Sequence, residues 1–247
     1  MSIVLHDLLG YDSIKIYQDE ESFRFSLDSV LLADFVYVYK KCQNIMDLCT
    51  GNAPIPMILS LKTKKTIIGV EIQKDIYDLA IKSVEYNKLS SQITIINEDV
   101  NNLPKLYKAG SFDLLTCNPP YFKYLPTSNV NKNDKLTIAR HEVCLKLEEM
   151  IKVASYLLNN KGVLCFSHRV ERLDEIISLL SKYNFAVKKM RLVYAKENTN
   201  AEMVLIEAHK NGMTGSLHIL PPLYVHKDGK YTNEILEMFK LGMNKDE

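Results

Sequence analysis

The sequence predicts an α/β fold: a mostly parallel seven-stranded sheet with a C-terminal antiparallel hairpin and helices on both faces. Two observations predict it. Short aliphatic and β-branched runs alternate with segments of helical period from residue 44 to residue 210, the pattern of successive β–α units. The last two β runs, 186–195 and 201–210, are separated by the short stretch KENTN. That leaves no room for a crossover helix, so these two strands must pair antiparallel.

The elements follow in order. Residues 44–50 (NIMDLCT) read as a strand, and 54–62 (PIPMILSLK) as a helix opened by Pro54 at a position that tolerates proline. Residues 66–72 form the next strand. Over 74–89, Ile76, Leu79, Ala80, Val84 and Leu89 fall on or near one helical face. Residues 93–99 and 112–120 are two more strands, the second stopped by Pro119 and Pro120. A polar loop leads to a helix over 142–159, a strand over 162–168 and a helix over 171–183. Ahead of this series, 13–26 reads as a hairpin and 27–40 as a helix. After it come an extended piece, an Asp228-Gly229 turn and a short helix. The expected organisation is an N-terminal extension (1–43), a main domain (44–210) and a C-terminal extension (211–247) packed on the same domain.

At 247 residues the chain can bury a large single core. Lys+Arg is 31 and Asp+Glu is 30, so any affinity for a polyanion must come from uneven placement of charge. Five cysteines, with no C-x-x-C pair, read as buried free thiols, which fits a reducing cytoplasm. No apolar run approaches the length of a membrane span, and no basic leader precedes the first apolar residues. No metal-ligand spacing stands out. A monomer is the expected state.

Residues 47–55, DLCTGNAPI, form a strand-to-helix turn of the kind that presents backbone N–H groups to a polar ligand. A dinucleotide fingerprint would place glycines at 49, 51 and 54; here they are Cys49, Gly51 and Pro54. Glu71, at the end of the next strand and 20 positions after Gly51, suits the two hydroxyls of a ribose. Asp99, at the end of the third strand, suits an exocyclic amine, with the backbone at Val100 completing that edge. Asp47, Glu71 and Asp99 thus stand at three successive strand ends, where open α/β sheets bind ligands.

The fourth strand ends in Asn118-Pro119-Pro120-Tyr121. Two prolines stiffen the turn and remove two donors, leaving outward carbonyl acceptors beside the asparagine side chain. Paired acceptors on a stiff turn suit a planar –NH2 group, and Tyr121 offers a flat face for a ring. On these residues the chain resembles the class I S-adenosylmethionine-dependent methyltransferases, with their Rossmann-like fold, and within them the amino-methylating group marked by (N/D)PP(Y/F). The resemblance covers residues 44–210. It implies S-adenosylmethionine as cofactor and S-adenosylhomocysteine as product. It implies that the 47–55 loop, through Asp47, Thr50, Gly51 and Asn52, holds the methionine part. Glu71 and Ile72 would hold the ribose, and Asp99 and Val100 the adenine. Asn118, beside the cofactor, and the Pro119 carbonyl would hold the target amine, with Tyr121 stacking on its ring. The chain departs from the pattern at Cys49 and Ala53, where glycine is favoured; Pro54 is expected to bias Ala53 toward an extended backbone that needs no glycine.

The flanks narrow the resemblance. Residues 23–35, 138–142, 201–212 and 223–235 resemble the bacterial tRNA(Val) adenine-N6 methyltransferases, which modify the adenosine 3′ of the anticodon. Residues 120–146 carry five bases against two acids, interleaved with Tyr121, Phe122 and Tyr124, and 182–196 carry five bases and no acid. Basic stretches with interleaved aromatics suit a splayed single-stranded base. The candidate tRNA contacts are therefore Arg24, Lys123, Lys132, Lys135, Arg140, His141, Lys188, Lys189 and Arg191. The rival readings are a glutamine-N5 protein methyltransferase, an rRNA amino-methyltransferase and an inactive RNA-binding relative.

Overall fold

A computed structural model describes residues 3–9, 11–19, 27–121 and 145–239. The N-terminal strands β1 (Ile3–Leu8) and β2 (Tyr11–Asp19) pair as a separate antiparallel hairpin turning at Leu9. This hairpin lies earlier than the expected 13–26, and residues 20–26 are outside the described set. Helix α1 (Leu27–Phe35) also stops short of residue 40. The following Val-Tyr-Val-Tyr alternates β-branched and aromatic residues, which lose side-chain freedom in a helix. Lys62 then donates from Nζ to the carbonyls of Ala33, Asp34 and Val36, satisfying the open end of α1.

The main sheet is built from β3 (Asn44–Leu48), β4 (Thr66–Glu71), β5 (Ile93–Asn97), β6 (Phe112–Cys117), β7 (Leu158–Arg169), β8 (Phe185–Lys196) and β9 (Ala201–Lys210). Three short strands, β10 (His218–Ile219), β11 (Leu223–Lys227) and β12 (Lys230–Tyr231), extend it to ten. Its order is β12-β11-β8-β9-β7-β6-β3-β4-β5, with β10 also on β8. The expected seven strands and terminal hairpin are present. The antiparallel strand β9 is not at the sheet's end, however: it is inserted between β7 and β8. The C-terminal residues add β10 and β11 in parallel to β8.

Two apolar layers sandwich the sheet. One face packs α1, α2 (Pro54–Lys62), α3 (Lys74–Tyr86) and the C-terminal helix α7 (Asn233–Phe239) against Ile45, Ile67, Ile95, Leu114 and Cys165. The other packs α4 (Leu103–Leu106), α5 (Leu147–Leu157) and α6 (Leu173–Lys182) against Met46, Val70, Leu115 and Phe166. Alternate residues of each strand therefore serve opposite layers, as the period of a strand requires. From β3 the chain moves outward through β4 to β5; from β6 it moves the other way through β7. Strand order thus reverses between β3 and β6, which opens a crevice at their carboxyl ends.

Candidate functional site

An open cleft lies at that reversal, walled by the ends of β3, β4, β5 and β6 and by Ser29 of α1. Its floor is the 49–53 turn. Asp47 is fully buried beneath it, not in the cleft wall. Its two carboxylate oxygens accept from Thr50 Oγ1 and Thr116 Oγ1, each at 2.6 Å. Asp47 therefore fixes the turn from below, a different job from direct contact with a ligand. Burial, only partly offset by the two threonines, pushes its carboxyl up to about 7.

The turn itself follows a left-handed path. Cys49 has φ 56°, Gly51 φ 57° and Ala53 φ 70° with ψ 33°. Ala53 is not extended: the turn geometry overrides the preference that Pro54 imposes. The Thr50 N–H donates to the Val70 carbonyl at 2.8 Å, and Asn52 Nδ2 donates to the Tyr17 carbonyl at 2.6 Å. The N-terminal hairpin is thereby tied to the turn. A Cβ at Gly69 would come within 2.9 Å of Thr50 Oγ1 and 2.8 Å of Ile95, so this glycine lets β4 approach the turn.

Glu71 is buried at the end of β4 and lines the cleft. Oε2 accepts the Gly51 N–H at 3.0 Å and Oε1 the Gln73 N–H at 2.9 Å. One carboxylate thus joins the glycine of the turn to the start of α3. Burial raises its carboxyl above the usual range against the pull of these N–H groups. At the end of β5, Asp99 Oδ1 accepts the Asn101 N–H at 2.8 Å, capping a single 3-10 turn at Val100–Asn102. Glu98, Asp99 and Val100 form this wall of the cleft. Acidic acceptors at Glu71 and Asp99, with Ile55, Val70, Ile72, Val100 and Leu145 as apolar walls, fit an adenosine-bearing ligand by donor set and shape.

Asn118 and Pro120 close the cleft at the end of β6. The Asn118 side chain is held at both ends: Nδ2 donates to Ser29 Oγ at 3.1 Å, and Oδ1 accepts from Ser167 Oγ at 2.6 Å. The Tyr121 hydroxyl also donates to Asn118 Oδ1, and lies 3.1 Å from Ser167 Oγ and 3.3 Å from Asp28 Oδ2. The Tyr121 ring packs edge-on against His168, centroids 5.5 Å apart and planes at 66°. Tyr121 does not line the cleft, so its face is not presented as the sequence suggested. His168 is buried; its Nδ1 accepts the Arg169 N–H, and burial pushes it down to about 4, so it is neutral. Ser29, Ser167 and Thr116 were not singled out by sequence. Their only signal is a hydroxyl at an otherwise apolar element position.

The basic candidates divide. Arg24, Lys123, Lys132, Lys135, Arg140 and His141 lie outside the described residues. Lys188, Lys189 and Arg191 lie on β8, away from the cleft, and their heads are engaged within the chain. Lys188 donates to the carbonyls of Met213 and Gly215 at 2.7 and 2.9 Å. Lys189 pairs with Glu207 at 2.8 Å and sits 4.4 Å over the Phe35 ring. Arg191 donates to the Pro221 carbonyl at 3.0 Å and pairs with Glu234. These three anchor the C-terminal segment and α1, so their heads are not free as the basic stretch suggested. Among the described residues no three His, Cys, Asp or Glu side chains gather to hold a metal, and no helix is long and apolar enough to cross a membrane.

Comparison with known proteins agrees with this geometry. A tRNA1(Val) (adenine(37)-N6)-methyltransferase from Aliivibrio salmonicida is 21% identical over 220 residues, covering 86% of this chain and 87% of its own. One of the same name from Porphyromonas gingivalis is 26% identical over 208 residues, covering 81% and 80%. A structure described as a predicted O-methyltransferase from Agrobacterium tumefaciens superposes with TM-score 0.67 at 20% identity, covering 87% of this chain and 96% of its own. A family model described as a methyltransferase domain matches residues 40–237. With the reversal-point cleft and its acidic wall, that match makes this chain a member of the methyltransferase domain family, dependent on S-adenosylmethionine.

Proposed function

We propose that this protein transfers a methyl group from S-adenosylmethionine to the exocyclic N6 amine of an adenosine in a tRNA anticodon loop, position 37 of a valine tRNA. The observation that carries the reading is Asn118, an amide in the cleft wall whose two ends are held by Ser29 and Ser167. The curated relatives bearing that activity in their names support the choice of substrate.

When bound, the cofactor supplies a methyl group on a positively charged sulfur that is its own leaving group. The chain's residues then have only to bind, orient and exclude water. Glu71 would accept hydrogen bonds from the ribose hydroxyls while keeping its bonds to Gly51 and Gln73. Asp99 and the backbone at Val100 would take the adenine edge. Asn118 Oδ1 and the Pro119 carbonyl would accept hydrogen bonds from the two N–H groups of the target amine, orienting its lone pair for attack. Oδ1 holds the Tyr121 and Ser167 hydroxyls, so Tyr121 must yield its place when the amine arrives. Once displaced, its ring is free to stack on the base. The proton leaves late, to water. The basic stretch that follows Asn118 in sequence, including Lys132, Lys135 and Arg140, supplies phosphate contacts.

The test is incubation with undermodified bulk tRNA and methyl-labelled cofactor, followed by nucleoside mass spectrometry. Label in N6-methyladenosine is expected. Label in guanosine, or in a protein glutamine when release factors are offered, would replace this reading with one of its rivals.

A further inference from the structure

All parallel strands of the sheet start at one edge, and the cleft lies at the other. For five neighbouring strands the chain reaches this edge through 36–43 before β3, 63–65 before β4, 87–92 before β5 and 107–111 before β6, while β7 begins there with 158–162. They hold Lys40 and Lys41, Lys64 and Lys65, Lys88, Lys108 and Lys161, and not one aspartate or glutamate. The rest of the chain holds 24 bases against 30 acids, so this is strong segregation of charge.

Six of these lysines are exposed; Lys65 is half-buried and donates to Gln43 Oε1 at 2.8 Å. None pairs with an acid among the described residues. The nearby acid Asp113, on β6, is engaged by the N–H groups of Gln43 and Asn44 and by the Asn159 amide. The five strands are consecutive neighbours, β5-β4-β3-β6-β7. At about 4.8 Å per strand, the lysines form a row roughly 20 Å long.

Exposed aromatic rings stand beside the row. Tyr37 (58% exposed) and Tyr39 precede β3, Tyr86 (51%) ends α3 before β5, and Tyr156 lies near the end of α5 before β7. Tyr39 is fixed by donating to buried Glu207 at 2.8 Å, and Tyr37 packs edge-on against it at 4.9 Å. Tyr37 and Tyr39 line one open groove with Lys188, Lys189 and Glu207, beside the row on β8 and β9.

We propose that this edge is an RNA-docking surface, distinct from the cleft and on the opposite side of the sheet. It binds the phosphate backbone of a loop or single-stranded segment away from the methylated nucleotide. Unpaired lysines in a row collect counterions whose release favours a polyanion. The tyrosines beside them give faces on which bases stack, a use that neither a lipid headgroup nor an acidic peptide has. The inference rests on an RNA substrate, but not on which base is methylated.

The test replaces Lys40, Lys41, Lys64 and Lys108 together by glutamine in the full chain and measures tRNA affinity across a range of salt concentrations. The slope of log affinity against log salt is expected to flatten by about 3, and tRNA affinity in moderate salt to fall about tenfold or more. Melting temperature and S-adenosylmethionine affinity should stay as in the wild type. Tyr37→Ala should weaken tRNA binding without changing the slope. An unchanged slope in the quadruple variant overturns the proposal. So does binding of phosphatidylserine vesicles or heparin as tight as that of tRNA and dependent on the same four lysines. The slope is read whether or not any nucleoside becomes methylated, so this surface and the proposed reaction can fail separately.

Discussion

At the scale of single residues, two buried groups pull stability in opposite directions with pH. Burial raises Asp47 to about 7, so the fold favours its protonated form. That contribution is whole below the unfolded carboxyl value of about 4 and is lost as pH rises through about 7. Burial lowers His168 to about 4, so the fold favours its neutral form. That contribution is whole above the unfolded histidine value of about 6.5 and is lost as pH falls toward 4. Across this window the two oppose each other, with Glu71 and Asp34, also raised by burial, on the side of Asp47. Urea denaturation across the window should show Asp47→Asn tilting the profile toward rising stability with pH, by a few kcal/mol at most. An unaltered profile would mean that Asp47 is ionised in the fold. Tyr121 is a separate case. Phenylalanine there removes the hydroxyl from Asn118 Oδ1 and keeps a ring for stacking. Tyr121→Phe should therefore retain methyl transfer with an equal or lower KM; a loss of a hundredfold or more in kcat would assign the hydroxyl a catalytic role.

At the scale of elements, the 49–53 turn keeps its left-handed path with a single glycine, held by its neighbours. Cys49 and Ala53 adopt left-handed backbone angles, which cost an L-residue about 1 kcal/mol or more each. Ala53→Gly should raise stability by up to about 1 kcal/mol, since relief of strain outweighs the added freedom of the unfolded chain. Cofactor affinity measured by calorimetry should not change. A destabilised variant would show that the methyl of Ala53, wholly buried, contributes more by packing. This turn also marks where sequence reading stops. Strand and helix positions from 44 to 210 were legible because period and proline placement are local, and α2 and β9 have the expected bounds. Glu71 and Asn118 were legible because strand ends are. The role of Asp47 was not: whether a carboxylate faces a cleft or two threonines depends on Thr116, 69 positions away. Lys188, Lys189 and Arg191 looked like a free basic patch because their partners, Met213, Glu207 and Glu234, come from later parts of the chain.

At the scale of the molecule, the C-terminal segment completes the main core. Leu223 and Ile235 are fully buried in the layer that also holds α1 and α2, and β11 continues the sheet beyond β8. Ile235→Ala should cost about 2–5 kcal/mol, as a core truncation does, within a single unfolding transition. A separate early transition would mean that the segment folds as its own unit. The two ends of the strands differ: the reversal point opens the cleft lined by Glu71, Asp99 and Asn118, while the starting edge carries lysines without an acidic partner among the described residues. In the proposed reaction Glu71 and Asp99 serve the cofactor while Asn118 serves the amine. The most direct measurement is the Asn118→Ala variant, assayed by calorimetric titration with S-adenosylmethionine and by methyl transfer to undermodified tRNA. Cofactor affinity within about threefold of wild type, with transfer reduced a hundredfold or more, is the predicted result. Equal loss of both, or transfer left intact, would contradict it.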